Sequence, residues 1–94
     1  MYFNQPTIRD STPILPNILV MEDEFSVAKG LEMVLAEEGY TVDLAMTGSD
    51  ALDSFGKKTF DLLVADLRLP DINGLDVIRK VKAKWPETSV IVIT

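Results

Sequence analysis

The chain has 94 residues, 47% hydrophobic and 26% charged, with fifteen acidic side chains against nine basic ones for a net charge of −6. That length holds one small domain with enough apolar residues to fill a core, which excludes wholesale disorder. The absence of cysteine and histidine excludes disulfides, thiolate or imidazole catalysis and Cys/His metal sites, and the scattered cations, clustered only at Lys80, Lys82 and Lys84, argue against direct nucleic-acid binding.

Residues 1–16 carry Pro6, Pro13 and Pro16 among polar residues with no steady period, and read as an extended or disordered leader outside the fold. No apolar run follows a basic start, and none reaches the roughly 18–20 residues that span a bilayer, so the expected location is the cytoplasm and no membrane partner is expected. Ile18 to Met21 is a short apolar run that ends abruptly in Glu22, Asp23 and Glu24, the pattern of a buried parallel strand delivering charge to a sheet edge. Val27, Ala28, Leu31, Val34 and Leu35 then form one stripe of an amphipathic helix, with Gly39 placed for a left-handed C-terminal cap.

A second strand is expected over Thr41 to Ala45, after which Thr47 caps a short helix with Ala51, Leu52 and Phe55 on its buried face. Phe60 to Ala65 repeats the pattern of the first strand and is closed by Asp66. A loop with Pro70, Asn73 and Gly74 leads into a helix marked by Leu75, Ile78, Val81 and Trp85 and stopped by Pro86. Ser89 to Thr94 supplies a fourth apolar strand. Strands and helices alternating at this spacing predict an α/β fold, a doubly wound parallel sheet with right-handed crossovers and helices on both faces. Ligands in such sheets bind outside the carboxyl ends of the strands, where Glu22, Asp23, Asp66 and Thr94 all fall.

Three carboxylates at neighbouring strand ends repel one another, so keeping them ionised calls for a cation. An all-oxygen donor set suits Mg2+, which commonly takes one or two carboxylates and completes its shell with water and phosphate oxygens. An aspartate in that shell is also a competent nucleophile toward phosphorus, because the metal screens the charge of the incoming group. A plainer reading stands beside this one: strand-end acids also cap the following helix or stay solvated, and Thr94 taken alone is an ordinary strand threonine.

The run from Ile18 to Glu24 (ILVMEDE) resembles the first strand of response-regulator receiver domains, and that from Asp66 to Gly74 (DLRLPDING) resembles their phosphorylation loop. The closing VIVIT, ending at Thr94, resembles the strand that carries their switch hydroxyl, and the match runs from residue 17 to 94 without a gap. The resemblance implies a flavodoxin-like receiver fold, here reaching only the fourth strand, with sheet order 2-1-3-4. It makes Asp66 the acceptor of a phosphoryl group from a partner histidine kinase or phosphotransfer protein, with Glu22, Asp23, Asp66 and the Arg68 backbone carbonyl as Mg2+ ligands and Thr94 as the switch hydroxyl. A receiver of this kind assists its own phosphorylation and dephosphorylation without being a conventional enzyme, and its state controls an output domain or partner.

Glu22 stands where many members have aspartate, and the chain ends before the family's fifth strand with its lysine. A fragment with impaired phosphorylation is the expectation, since losing one such cation costs roughly a hundredfold or more in rate, as is self-association through an exposed fourth-strand edge. Two other functions compete. A dehalogenase-like Mg2+ phosphatase also uses a strand-end aspartate, but carries an acid two residues later, where this chain has Arg68. A degenerate receiver would keep only an interaction surface. A P-loop nucleotide binder is disfavoured because no Gly-rich loop ending in Gly-Lys-Ser/Thr follows the first strand.

Overall fold

The structure is a computed structural model that describes residues 16–93. The expectations for residues 1–15 and for Thr94 lie outside the described residues. Seven elements alternate along the chain: β1 (Asn17–Met21), α1 (Phe25–Glu37), β2 (Thr41–Ala45), α2 (Gly48–Lys57), β3 (Leu62–Ala65), α3 (Gly74–Lys84) and β4 (Ser89–Val92). All strand pairs are parallel and the sheet order is β2-β1-β3-β4, as expected of the α/β receiver fold.

The pleat divides the core in two. Leu19, Met21, Leu63 and Ala65 project to the face carrying α2 and α3, where they pack with Ala51, Phe55, Phe60, Val77 and Val81. Ile18, Val20 and Val64 project to the other face, where Leu31 and Leu35 of α1 lie against them. β1 and β3 are buried on both faces, which is why their sequences are uninterrupted apolar runs rather than alternating ones.

Two expected helix faces are displaced. Within the α1 stripe, Ala28 is buried and Leu31 and Leu35 are half-buried, but Val27 and Val34 are exposed. α1 is the only described helix on its side of the sheet and packs on β1 and β2, so the flank carrying Val27 and Val34 meets no neighbour among the described residues. In α3 the buried residues are Gly74, Val77 and Val81, with Ile78 half-buried, while Leu75 is exposed. The helix is turned by its contact with α2, which brings Val77 against Gly48: a Cβ added at Gly48 would stand 3.0 Å from Val77 Cγ2.

Local signals set the helix ends. The Thr47 hydroxyl accepts from the Asp50 N–H at 3.0 Å and the Asn73 side chain accepts from the Leu75 N–H at 2.8 Å, each satisfying a first-turn donor that the helix leaves open. Gly39 adopts φ 98°, the left-handed conformation that ends α1 at little steric cost.

Candidate functional site

The carboxyl ends of β1 and β3 are neighbours because those strands are paired, and the ladder continues one step beyond each. The Asp66 N–H donates to the Met21 carbonyl at 2.9 Å and the Glu22 N–H to the Ala45 carbonyl at 3.0 Å. Residues 44 positions apart in sequence are thereby held side by side. One carboxylate oxygen from each of Glu22, Asp23 and Asp66 lies within 4.8 Å of the others. Glu22 and Asp66 are buried, and Asp23 opens the cluster to solvent.

Backbone amides orient the two buried carboxylates. Glu22 Oε2 accepts from the Glu24 N–H and Asp66 Oδ1 from the Arg68 N–H, both at 2.9 Å. Burial raises the Glu22 pKa above its usual value; the Glu24 N–H works against that shift, and the charge of Asp66 adds to it. Burial and the neighbouring Asp66 charge thus both disfavour the ionised form of Glu22. Oxygen ligands on opposite sides of a Mg2+ ion stand about 4.2 Å apart, so the spacing and the all-oxygen donor set both fit a small hard cation.

The loop from Asp66 to Gly74 is tied down at two points that preserve this geometry. Gly74 donates its N–H to the Leu67 carbonyl at 2.9 Å, and a Cβ there would lie 2.6 Å from Leu67 Cα and 2.7 Å from the Asp66 carbonyl oxygen. Only glycine permits that approach. The second tie is Asp71, which the sequence reading missed. Its carboxylate accepts from the Gly48 N–H at 2.8 Å and the Ser49 N–H at 3.0 Å, capping α2 from across the fold. Those two amides, Gly48 first, hold the Asp71 pKa down at about 2. The Pro70-Asp71 pair marks a turn in sequence, but nothing local connects it to residues 22 and 23 positions earlier.

Among the expected site residues, Glu22, Asp23 and Asp66 are brought together, and Arg68 sits beside them with its amide on Asp66 and its side chain exposed. Thr94 lies outside the described residues. No described helix is long and apolar enough to cross a membrane.

Comparison with known proteins places this geometry in context. The model of the response regulator receiver domain matches residues 18–94. The response regulator ArlR of Staphylococcus epidermidis is 42% identical over 80 residues, covering 85% of this chain and 36% of that protein, and ArlR of Staphylococcus aureus is 41% identical over the same length. The chain thus spans little more than a third of the length of these relatives. Among solved structures, the response regulator TrrA of Thermotoga maritima, crystallised in complex with Mg2+-BeF, superposes with a TM-score of 0.79 at 35% identity over 83% of this chain and 68% of that one. The non-phosphorylated HemR receiver domain of Leptospira biflexa gives a TM-score of 0.77 at 35% identity, over 82% of this chain and 62% of that one. Fold, sequence and acidic cluster agree, and the chain belongs to the response regulator receiver domain family of two-component signalling.

Proposed function

We propose that this chain is a phosphorylation-controlled switch in which Asp66 accepts a phosphoryl group from the phosphohistidine of a partner kinase or phosphotransfer protein. The observation that carries this reading is the convergence of the Glu22, Asp23 and Asp66 oxygens within 4.8 Å at the carboxyl edge of a parallel sheet. In the transfer, an Asp66 carboxylate oxygen forms a bond to phosphorus while the phosphorus–nitrogen bond to the donor imidazole breaks, leaving an acyl phosphate on Asp66 and a neutral imidazole on the donor once its ring takes up one proton from solvent. The Arg68 N–H fixes the Asp66 carboxylate through Oδ1. Glu22 and Asp23, with the Arg68 carbonyl, are the groups that would hold Mg2+ next to it, and Thr94 would supply a hydroxyl to the modified aspartate. When bound, the cation neutralises charge on the transferring phosphoryl oxygens.

The test is incubation with Mg2+ and a small acyl phosphate, read by intact mass. Slow addition of a single phosphoryl group is expected in the parent and none in Asp66→Asn, with loss of labelling on chelation; fast stoichiometric labelling would contradict the expected impairment. Labelling that survives Asp66→Asn would remove the assignment. A cytoplasmic location belongs to the same proposal, as the place where the chain would meet its kinase partner. Self-association is part of the same reading: Ile91 and Val92 on β4 are 51% and 49% exposed beside a backbone edge with no described neighbour, a surface that strand pairing would cover. Sedimentation velocity is expected to show a concentration-dependent dimer, and a monomer throughout the micromolar range would exclude it.

A further inference from the structure

Away from the carboxylate cluster, at the C-terminal ends of α2 and α3, lies an open groove of about 350 Å³ lined by Leu52, Gly56, Lys80, Ala83, Lys84 and Trp85. Helices in a parallel α/β fold run back against the strands, so this groove sits at the end of the molecule opposite Asp66. Its floor is left open by small residues. Gly56 and Ala83 put almost no bulk between the helices, and a Cβ at Gly56 would meet nothing within 4 Å. Trp85 forms the end wall, fixed by ring packing on Phe55 at 5.0 Å between centroids and overlain by Lys84 Nζ at 5.5 Å.

The charge here runs against that of the whole chain. Six of its nine cations, Lys57, Lys58, Arg79, Lys80, Lys82 and Lys84, belong to the C-terminal end of α2 and to α3. Three are occupied: Lys58 pairs with Asp43, Arg79 with Asp76, and Lys82 Nζ donates to the Pro86 and Thr88 carbonyls. Lys57, Lys80 and Lys84 have no carboxylate partner among the described residues. Two of these unpaired ammonium groups therefore flank an apolar slot on a protein of net charge −6.

We propose that the α2–α3 groove is a docking site for an acidic peptide segment of a partner protein, one large apolar side chain entering the slot against Trp85 while flanking carboxylates meet Lys80 and Lys84. Charge complementarity selects the occupant. An anionic segment is repelled by most of this surface and attracted here, and the slot has room for a single anchor of leucine or phenylalanine size. The role is independent of phosphorylation at Asp66.

Trp85 is the only tryptophan of the chain, so its emission reports occupancy directly. The probe is an acetylated, amidated peptide of one leucine between two pairs of glutamates, titrated to about 1 mM alongside counterparts with glutamine or lysine in place of glutamate. The glutamate peptide is expected to shift the emission saturably, with affinity falling at least tenfold in about 1 M salt, where screening shortens to roughly 3 Å. The other two peptides are expected to give no saturable shift. Gly56→Leu, which fills the slot, and Ala83→Glu, which opposes the charge on an exposed helix position, are each expected to abolish the shift with the circular dichroism spectrum unchanged. Asp66→Asn is expected to bind as the parent does, which separates this site from the phosphoryl acceptor. Absence of a saturable shift with the glutamate peptide, equal binding of all three peptides, or undiminished binding by both slot variants would overturn the proposal.

Discussion

Gly74→Ala tests the geometry of the acceptor loop most directly. The added Cβ would lie 2.6 Å from Leu67 Cα, 2.7 Å from the Asp66 carbonyl oxygen and 2.8 Å from that of Leu67. Carbon atoms in ordinary contact stand about 3.5–4.0 Å apart, so the loop must retreat by roughly 1 Å. All three atoms are backbone, and no rotamer change relieves the overlap. Overpacking of this kind costs about 1–3 kcal/mol, and stretching the Gly74 to Leu67 hydrogen bond adds about 0.5–1.5 kcal/mol. The helical preference of alanine over glycine returns about 0.5–1 kcal/mol. A net loss of about 2 kcal/mol follows. In urea melts with a slope near 1 kcal/mol/M the midpoint should fall by about 2 M. Gly30→Ala is the control, because it also replaces a helical glycine but its Cβ meets nothing within 4 Å; it should stabilise by about 0.5–1 kcal/mol. Because the displaced backbone carries Asp66 and leads into Arg68, Mg2+ affinity should fall in Gly74→Ala and stay unchanged in Gly30→Ala. A Gly74→Ala midpoint at or above that of the parent would refute the close approach.

Three further variants probe separate links. A carboxylate whose folded pKa is raised opposes folding when ionised, a penalty complete above that pKa and relieved as pH falls through it toward the ordinary 4.5; metal-free Glu22→Gln should therefore be more stable than the parent at pH 7, with the gap closing on acidification and Mg2+ affinity reduced. A gap independent of pH in urea melts would contradict the burial-driven shift. Asp71 behaves oppositely, since its folded pKa is depressed to about 2: its contribution is complete above the ordinary 3.8 and lost as pH falls toward 2, so the parent should lose stability over that window relative to Asp71→Ala, and faster amide exchange at Gly48 and Ser49 in the variant should locate the effect. Buried Thr88 donates its hydroxyl to the Phe60 carbonyl at 2.8 Å, and Thr88→Val, which leaves that acceptor unpaired, should cost about 1–2 kcal/mol by chemical denaturation; a neutral outcome would mean that water replaces the hydroxyl.

The features legible in sequence were those set by neighbours along the chain. Thr47 announced α2 because a cap needs only the next three residues, and Thr41–Ala45 was bounded correctly by Gly39 before it and Thr47 after it. The strand-end position of Glu22, Asp23 and Asp66 was legible because uninterrupted apolar runs stop at charges, and the parallel pairing of β1 with β3 then brings those ends together. What was hidden depends on how elements meet. Apolar residues at 75, 77, 78, 81 and 85 fit two overlapping helical stripes, and only the contact of α3 with α2 chooses the one through Val77 over the one through Leu75. Val27 and Val34 looked buried because a one-chain pattern records apolarity and not the presence of a covering neighbour. Asp71 was invisible as a cap because its donors lie 23 and 22 residues away.

The Asp71 clamp also bears on how the backbone amides near the carboxylate cluster are used. A helix N-terminus is the usual backbone source of positive potential near strand-end carboxylates in an α/β fold. Here the first amides of α2 are taken by Asp71, and of the site's own carboxylates Glu22 receives the Glu24 amide and Asp66 the Arg68 amide. These described backbone donors are therefore divided between stabilising the loop and orienting the acids. The raised Glu22 pKa comes chiefly from burial, with the charge of Asp66 a smaller contribution in the same direction. A divalent cation at such a cluster would ease ionisation of its buried carboxylates, and the proposed phosphorylation of Asp66 would add charge beside the loop that Asp71 and Gly74 fasten to α2 and α3. Mg2+ should slow amide exchange at Gly48 and Ser49 in the parent and lose that effect in Asp71→Ala. Equal protection in both proteins would show that the cluster and the clamp act separately.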